Sequence, residues 1–220
     1  MKKHAFTLSE VLISLVIIGV IAAVTVPALM NNTNNHQYKS ALKKNFSVLS
    51  QAFRLAYGYN YDDFRDWEYE QSADCTQSVY EKISKYLYVQ KVCGRSSGCW
   101  KTPKAKNGTT AQYATSNGLS RENYAFVLND GTSVALDIWA KSNTSKYLGV
   151  TDNLILDSAN LVIAVDVNGV KKPNTTGKDV YIFVLTENGL VPGGIDDNSE
   201  YCENRSVNYN WDCTAKMLKS

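Results

Sequence analysis

Residues 6–30 read FTLSEVLISLVIIGVIAAVTVPALM, twenty-five positions with one ionisable side chain, Glu10. At about 1.5 Å per residue a helix of that length crosses a hydrocarbon core of about 30 Å, so the run reads as a membrane-spanning helix. A secretory signal peptide places a small-x-small cleavage site after its apolar stretch. Here the run instead continues through Pro27 into Asn31 and Asn32, and Ala22-Ala23 only imitates such a site. Glu10 lies one turn inside the run, where an ionised carboxylate costs a few kcal/mol unless paired. After Lys3 no basic residue of the same helix lies within its reach. The expected partner is therefore a positive charge from another chain or from a newly made N-terminus. Pro27 lacks a backbone donor and crowds the carbonyl four residues earlier, so it is expected to kink or locally open the helix. Gly19 and Ala23 form a small-xxx-small pair that lets helices approach closely.

Beyond the Asn-rich patch at 31–35, Tyr38, Leu42, Phe46, Leu49, Phe53 and Ala56 recur at spacings of three and four. That spacing predicts a helix continuing to residue 57 with one apolar face, stopped by Gly58 and packed under a sheet. Residues 76–87 carry Val79, Ile83 and Leu87 at helical spacing and predict a second, short helix. Residues 123–128 and 132–139 alternate around Asp130-Gly131, a strong hairpin signal. Residues 161–167 and 180–185 are β-branched and aromatic runs joined by a Gly-, Pro- and Asn-rich loop, which predicts a second hairpin. The economical fold is α+β, a long N-terminal helix laid on an antiparallel sheet. The expected domains are a helix over 6–57, transmembrane over 6–30, and a globular head over 58–220.

The rest of the composition narrows function mainly by exclusion. Mean hydropathy of −0.27 argues against several spans, so the apolar anchor is local. A formal net charge of +2 carries no global nucleic-acid signal. Charge is nevertheless segregated: residues 62–81 hold seven acids against Arg65 alone, and residues 82–121 hold eight Lys or Arg and no acid. Such a head presents either two solvated faces or complementary surfaces between neighbouring subunits. The histidines are His4 and His36, and the cysteines Cys75, Cys93, Cys99, Cys202 and Cys213 have no C-x-x-C spacing, which argues against a His/Cys zinc site. Disulfides are the better reading, and they imply an oxidising compartment. Cys93–Cys99 is favoured by proximity, with Cys75–Cys93 as the alternative, and one thiol is left over, either buried or reactive. With no histidine in the head, no Ser/His/Asp or Cys/His arrangement forms there, and the adjacent acids Asp62-Asp63 and Asp196-Asp197 read as solvated loops. An enzyme is not expected.

The leader MKKHA, the sequence FTLSE after it and the apolar helix beyond resemble the signal of type IV prepilins and type II secretion pseudopilins. The resemblance implies cleavage of Ala5–Phe6 by a prepilin peptidase and methylation of the new Phe6 amine. It assigns Glu10 as the carboxylate that meets a neighbouring subunit's amine during assembly. The family favours Gly before the cut, where this chain has Ala5. Loss of residues 1–5 would leave the chain formally neutral. The implied outline is a pilin-like ladle, single-pass in a bacterial inner membrane, with the head in the periplasm or cell exterior. The implied partners are other pilin or pseudopilin subunits in a filament and an inner-membrane assembly platform. Cys202 and Cys213, enclosing ten residues, resemble the disulfide-bounded terminal loop of many pilins. Closing so short a loop contributes about 2 to 3 kcal/mol in the chain-entropy model. The loop DVNGVKKPNTTGKD at 166–179 resembles loops of pseudopilin-like heads and gathers Asp166, Asn168, Asn174 and Asp179. It reads either as a calcium site, two carboxylates and two amides supplying hard oxygens, or as a turn-rich loop in which Asn and Asp satisfy their own backbone.

The expected function is a structural subunit of a type II secretion pseudopilus or type IV pilus. The alternative is a minor pilin acting as a tip binding module for DNA, in which Tyr86, Tyr88, Trp100 and Tyr113 would stack on bases within the basic stretch.

Overall fold

The computed structural model describes residues 7–58, 73–116, 118–119, 123–151, 159–196 and 201–220. The chain divides into two compact units, Met1–Gln37 and Tyr38–Ser220. Helix α1, Leu8–Tyr57, is 50 residues long, contains Pro27 in its interior, and supplies residues to both units. Its first part is apolar around its circumference, and Val11, Ile13, Val16, Ile18, Ile21 and Val24 are all exposed. The stretch Leu8–Pro27 is long and apolar enough to cross a membrane, and it is the one such helix among the described residues. Its hydroxyls suit a medium without water: Ser14 Oγ donates to the Glu10 carbonyl at 2.8 Å and Thr25 Oγ1 to the Ile21 carbonyl at 2.9 Å.

In the second unit the apolar face of α1 behaves as its spacing predicts. Leu42, Leu49 and Phe53 are fully buried, and Tyr38, Phe46 and Ala56 pack at the margin of the same cluster. Phe46 stacks on Phe183 with centroids 5.4 Å apart. Gly58 ends α1 at φ 74°, its N–H reaching the Arg54 carbonyl at 3.0 Å, a left-handed stop that glycine adopts without a Cβ penalty. Helix α2, Ala73–Ile83, is followed by a single 3-10 turn, Ser84–Tyr86. It buries Val79 and Ile83, while Tyr80 packs against Tyr124 and Phe126.

Among the described residues six strands follow: β1 (Val89–Gly94), β2 (Tyr124–Leu128), β3 (Ser133–Ala140), β4 (Ala159–Asp166), β5 (Val180–Thr186) and β6 (Gly189–Pro192). They form one antiparallel sheet in sequential order. The β2–β3 turn is the expected one, with Gly131 at φ 87° and Thr132 N–H donating to Asp130 Oδ1 at 3.0 Å. Lys44 of α1 clasps that turn through Asp130 Oδ2 at 2.8 Å. The β4–β5 hairpin pairs Asp166 with Val180 at its loop end.

Both faces of the sheet are covered, where the sequence predicted one. Phe126, Leu136, Ile163 and Phe183 face α1 and α2. Ala125, Ala135, Val162, Ala164 and Ile182 face a second cluster containing Trp100, Leu119 and Trp211. Leu148 of helix α3, Lys141–Leu148, joins that second cluster. A C-terminal 3-10 turn, Trp211–Cys213, leads into helix α4, Thr214–Lys219. The small side chains at 125, 135 and 164 make room for the indoles on that side.

Candidate functional site

Two places carry candidate chemistry. At the start of α1, Thr7 and Glu10 form a reciprocal cap. Glu10 Oε2 accepts from the Thr7 N–H and from Thr7 Oγ1, each at 2.8 Å, while the Glu10 N–H donates to Thr7 Oγ1 at 3.3 Å. This is a capping box, readable in the sequence as the T-x-x-E of Thr7, Leu8, Ser9 and Glu10. The carboxylate expected to meet a positive charge from another chain is held here by neutral donors of its own chain, and Thr7 is a partner that a search for basic residues does not find. Ala5 and Phe6, the expected cleavage residues, lie outside the described residues, and Pro27 lies within a continuous helical span.

In the head, Asp166 ends β4 and Asp179 immediately precedes β5, and both are buried. Asp179 accepts from the Asn174 N–H at 2.8 Å and the Thr175 N–H at 2.6 Å, and Asp166 Oδ1 accepts from the Asn168 N–H at 3.2 Å. Burial, and then the nearby Asp179 charge, pushes the Asp166 carboxyl up to about 9. Burial also raises Asp179, against the pull of the Thr175 and Asn174 amides. Tyr181 is raised by burial and then by Asp179, Tyr38 and Asp166. Its hydroxyl donates to the Lys178 carbonyl, while Asn168 Nδ2 donates to Tyr38 Oη at 3.3 Å.

Among the described residues, three buried oxygens here lack a hydrogen-bond partner: Asn168 Oδ1, Asn174 Oδ1 and Ser133 Oγ. Ser133 stands opposite Asp166 in the β3–β4 register. Buried polar atoms without partners are uncommon in native folds and call for a reason. Carboxylate, amide and hydroxyl oxygens are hard donors of the kind calcium takes, and Asp166 and Asp179 lie close enough for the charge of one to raise the other. The same carboxylates also hold loop amides, so the turn-rich reading describes part of the geometry too. No group of three or more His, Cys, Asp or Glu side chains able to hold a metal occurs among the described residues.

Cys93 and Cys99 are joined with Cα atoms 5.9 Å apart, and Cys202 and Cys213 with Cα atoms 4.7 Å apart. Cys75 is free and half-buried, its thiol pushed up to about 11 by burial. The aromatic residues of the DNA alternative do not share a surface. Tyr86 and Tyr88 are exposed beside α1, Trp100 is buried on the other side of the sheet, and Tyr113 packs edge-on against Trp139 there. Arg121, the acids Asp62 and Asp63, and Asp197 lie outside the described residues. Asp196 accepts from the Thr151 N–H and hydroxyl.

Residues 1–26 match the family model for the prokaryotic N-terminal methylation motif. No curated protein and no solved structure matches the chain. The motif, the apolar helix and the α+β head are consistent with a type IV pilin-like protein.

Proposed function

We propose that this chain is a structural subunit of an extracytoplasmic filament, a type II secretion pseudopilus or a type IV pilus. The observation that carries this reading is the coincidence of the methylation motif at residues 1–26 with the exposed apolar span Leu8–Pro27. A surface apolar around its whole circumference needs lipid or other helices to cover it, and a filament supplies helices where the inner membrane supplied lipid. In this account a prepilin peptidase cuts Ala5–Phe6, the Phe6 amine is methylated, the head stands in the periplasm, and an assembly platform transfers the subunit to neighbours through Glu10. The test is the mass of the mature N-terminus. A chain beginning at N-methylated Phe6 is expected, and a mature chain retaining residues 1–5 would overturn the reading.

A second component is favoured by the unpartnered oxygens of Asn168, Asn174 and Ser133: the head binds calcium through Asp166 and Asp179. These residues would supply charge and amide oxygen, and the ion would hold the β4–β5 loop closed. Calcium chloride is expected to raise the Tm of the full-length chain, and an unchanged Tm at saturating calcium would refute it.

A further inference from the structure

The β4–β5 loop is mechanically tied to the disulfide-closed turn at the C-terminus. Gly177 lies in that loop at φ 71°, and a Cβ there would sit 2.5 Å from Cys213 Sγ. The second tie is a chain of hydrogen bonds. Asn210, inside the ring closed by Cys202 and Cys213, accepts the Lys106 N–H on its Oδ1 at 3.0 Å and donates through Nδ2 to the Tyr201 and Asn204 carbonyls. Two residues earlier, the Lys104 N–H donates to the Asn174 carbonyl at 2.8 Å and the Thr176 N–H to the Lys104 carbonyl at 2.9 Å. Asn174 and Thr175 give their own N–H groups to Asp179. Asn210 and Asp179 are both fully buried, so both ends of this relay are shielded from water.

We infer that the Cys202–Cys213 disulfide sets the geometry of the Asp166/Asp179 loop, so that the loop takes up a divalent cation more tightly in the oxidised chain. This rests on the cation reading of that loop. Forming the bond takes one hydrogen from each thiol, and the two electrons and two protons reduce the disulfide of a thiol–disulfide oxidant to its dithiol. Cys202 and Cys213 are buried in the folded head, so the exchange precedes closure of the turn. In a reducing compartment the loop holds the cation weakly, and it gains affinity where thiols are oxidised. Coupling between two sites is reciprocal, so a cation held more tightly by the oxidised chain also makes the disulfide harder to reduce.

The experiment uses the full-length chain in detergent as wild type, C202S/C213S and C93S/C99S. Amide exchange is measured in the peptide spanning residues 170–179, and calcium chloride is titrated by calorimetry. In C202S/C213S the peptide is expected to exchange at least ten-fold faster, and the calcium Kd to rise at least ten-fold. In C93S/C99S both should stay at wild-type values, and in all three proteins the β3–β4 amides should keep wild-type protection. A ten-fold Kd change corresponds to about 30 mV in the reduction potential of the Cys202–Cys213 pair measured with and without calcium. Unchanged exchange at 170–179 in C202S/C213S, or equal acceleration in C93S/C99S, would overturn the inference. If C202S/C213S also loses β3–β4 protection, Asn210→Ala decides with the disulfide intact: faster exchange confined to 170–179 supports the relay, and wild-type exchange refutes it. A wild-type chain that binds no calcium while its loop still responds to C202S/C213S would overturn the cation reading and leave the mechanical coupling standing.

Discussion

Asp166 and Ser133 share one rung of the β3–β4 ladder, a buried carboxylate facing a buried hydroxyl that has no partner among the described residues. Burial of that carboxylate, with the charge of Asp179 near it, makes stability depend on pH in an unusual direction. The carboxyl of Asp166 is raised to about 9 in the fold, against about 3.9 in an unfolded chain. Below about 3.9 both states hold the proton and Asp166 adds no slope. Between the two values the unfolded state has released a proton that the folded state keeps, so stability falls as pH rises, by at most about 1.4 kcal/mol per pH unit, and levels off above about 9. Urea unfolding of the full-length chain at pH 5, 7 and 9 is expected to show this decline in chelator. Asp166→Asn is expected to shrink the decline, most clearly between pH 7 and 9, and leave the part due to Asp179 and Asp212, whose carboxyls burial also raises, Asp212 to about 6; calcium should flatten it, because a bound cation stabilises the ionised form.

The C-terminal turn predicts a contrast between two glycines. A Cβ on Gly194, at φ 80°, would overlap the Asp212 carbonyl oxygen, whereas Gly108, at φ 86°, has nothing within 4 Å. Gly108→Ala meets only the left-handed strain, about 1 kcal/mol. Gly194→Ala meets the strain and the overlap together and should cost at least about 2 kcal/mol more, since the turn must move off Gly193 and Gly194. Denaturant unfolding of both variants checks the difference.

Phe183 anchors the seat of α1 on the sheet. It is fully buried on β5 and stacks on Phe46. Phe183→Ala should cost about 3 to 5 kcal/mol, because it removes a large apolar surface and leaves a cavity between two rigid elements. The measurement is again the unfolding midpoint.

What the sequence made legible was whatever one local pattern determines. The heptad-like run from Tyr38 to Ala56, the Asp130-Gly131 turn and the two apolar hairpins appear where their spacing put them. What stayed hidden depended on neighbours. Strand β1 is mostly exposed and interrupted by register shifts, so its residues VQKVCG carry no clean alternation. Helix α3, KSNTSKYL, is polar along most of its length and exists because Tyr147 and Leu148 reach the second face of the sheet. Covering of that face was not readable either, because Trp100, Leu119 and Trp211 come from segments far apart in the chain. In the head loop, Asp166 and Asp179 were visible as residue types, but Ser133 joins them only through strand register. Thr7 was the one miss with a local signal, since T-x-x-E ahead of an apolar run marks a helix start.

That cap gives the assembly reading its sharpest discrimination, because the reading assigns Glu10 a second duty separable from capping. As a capping residue it needs only an acceptor oxygen for the Thr7 N–H, which glutamine also provides. As an assembly residue it needs a charge to attract a neighbour's amine in a medium of low dielectric. Glu10→Gln should therefore keep the helix start and membrane insertion while abolishing filaments, and Glu10→Ala should lose both cap and filaments. Thr7→Val keeps the charge but loses the hydroxyl that orients it, about 0.5 to 2 kcal/mol of cap, so a partial loss of filaments is expected. Filament yield after shearing, scored by electron microscopy, is read beside membrane fractionation of the same cells. A wild-type yield from Glu10→Gln would reduce Glu10 to a helix cap and remove it from the assembly mechanism.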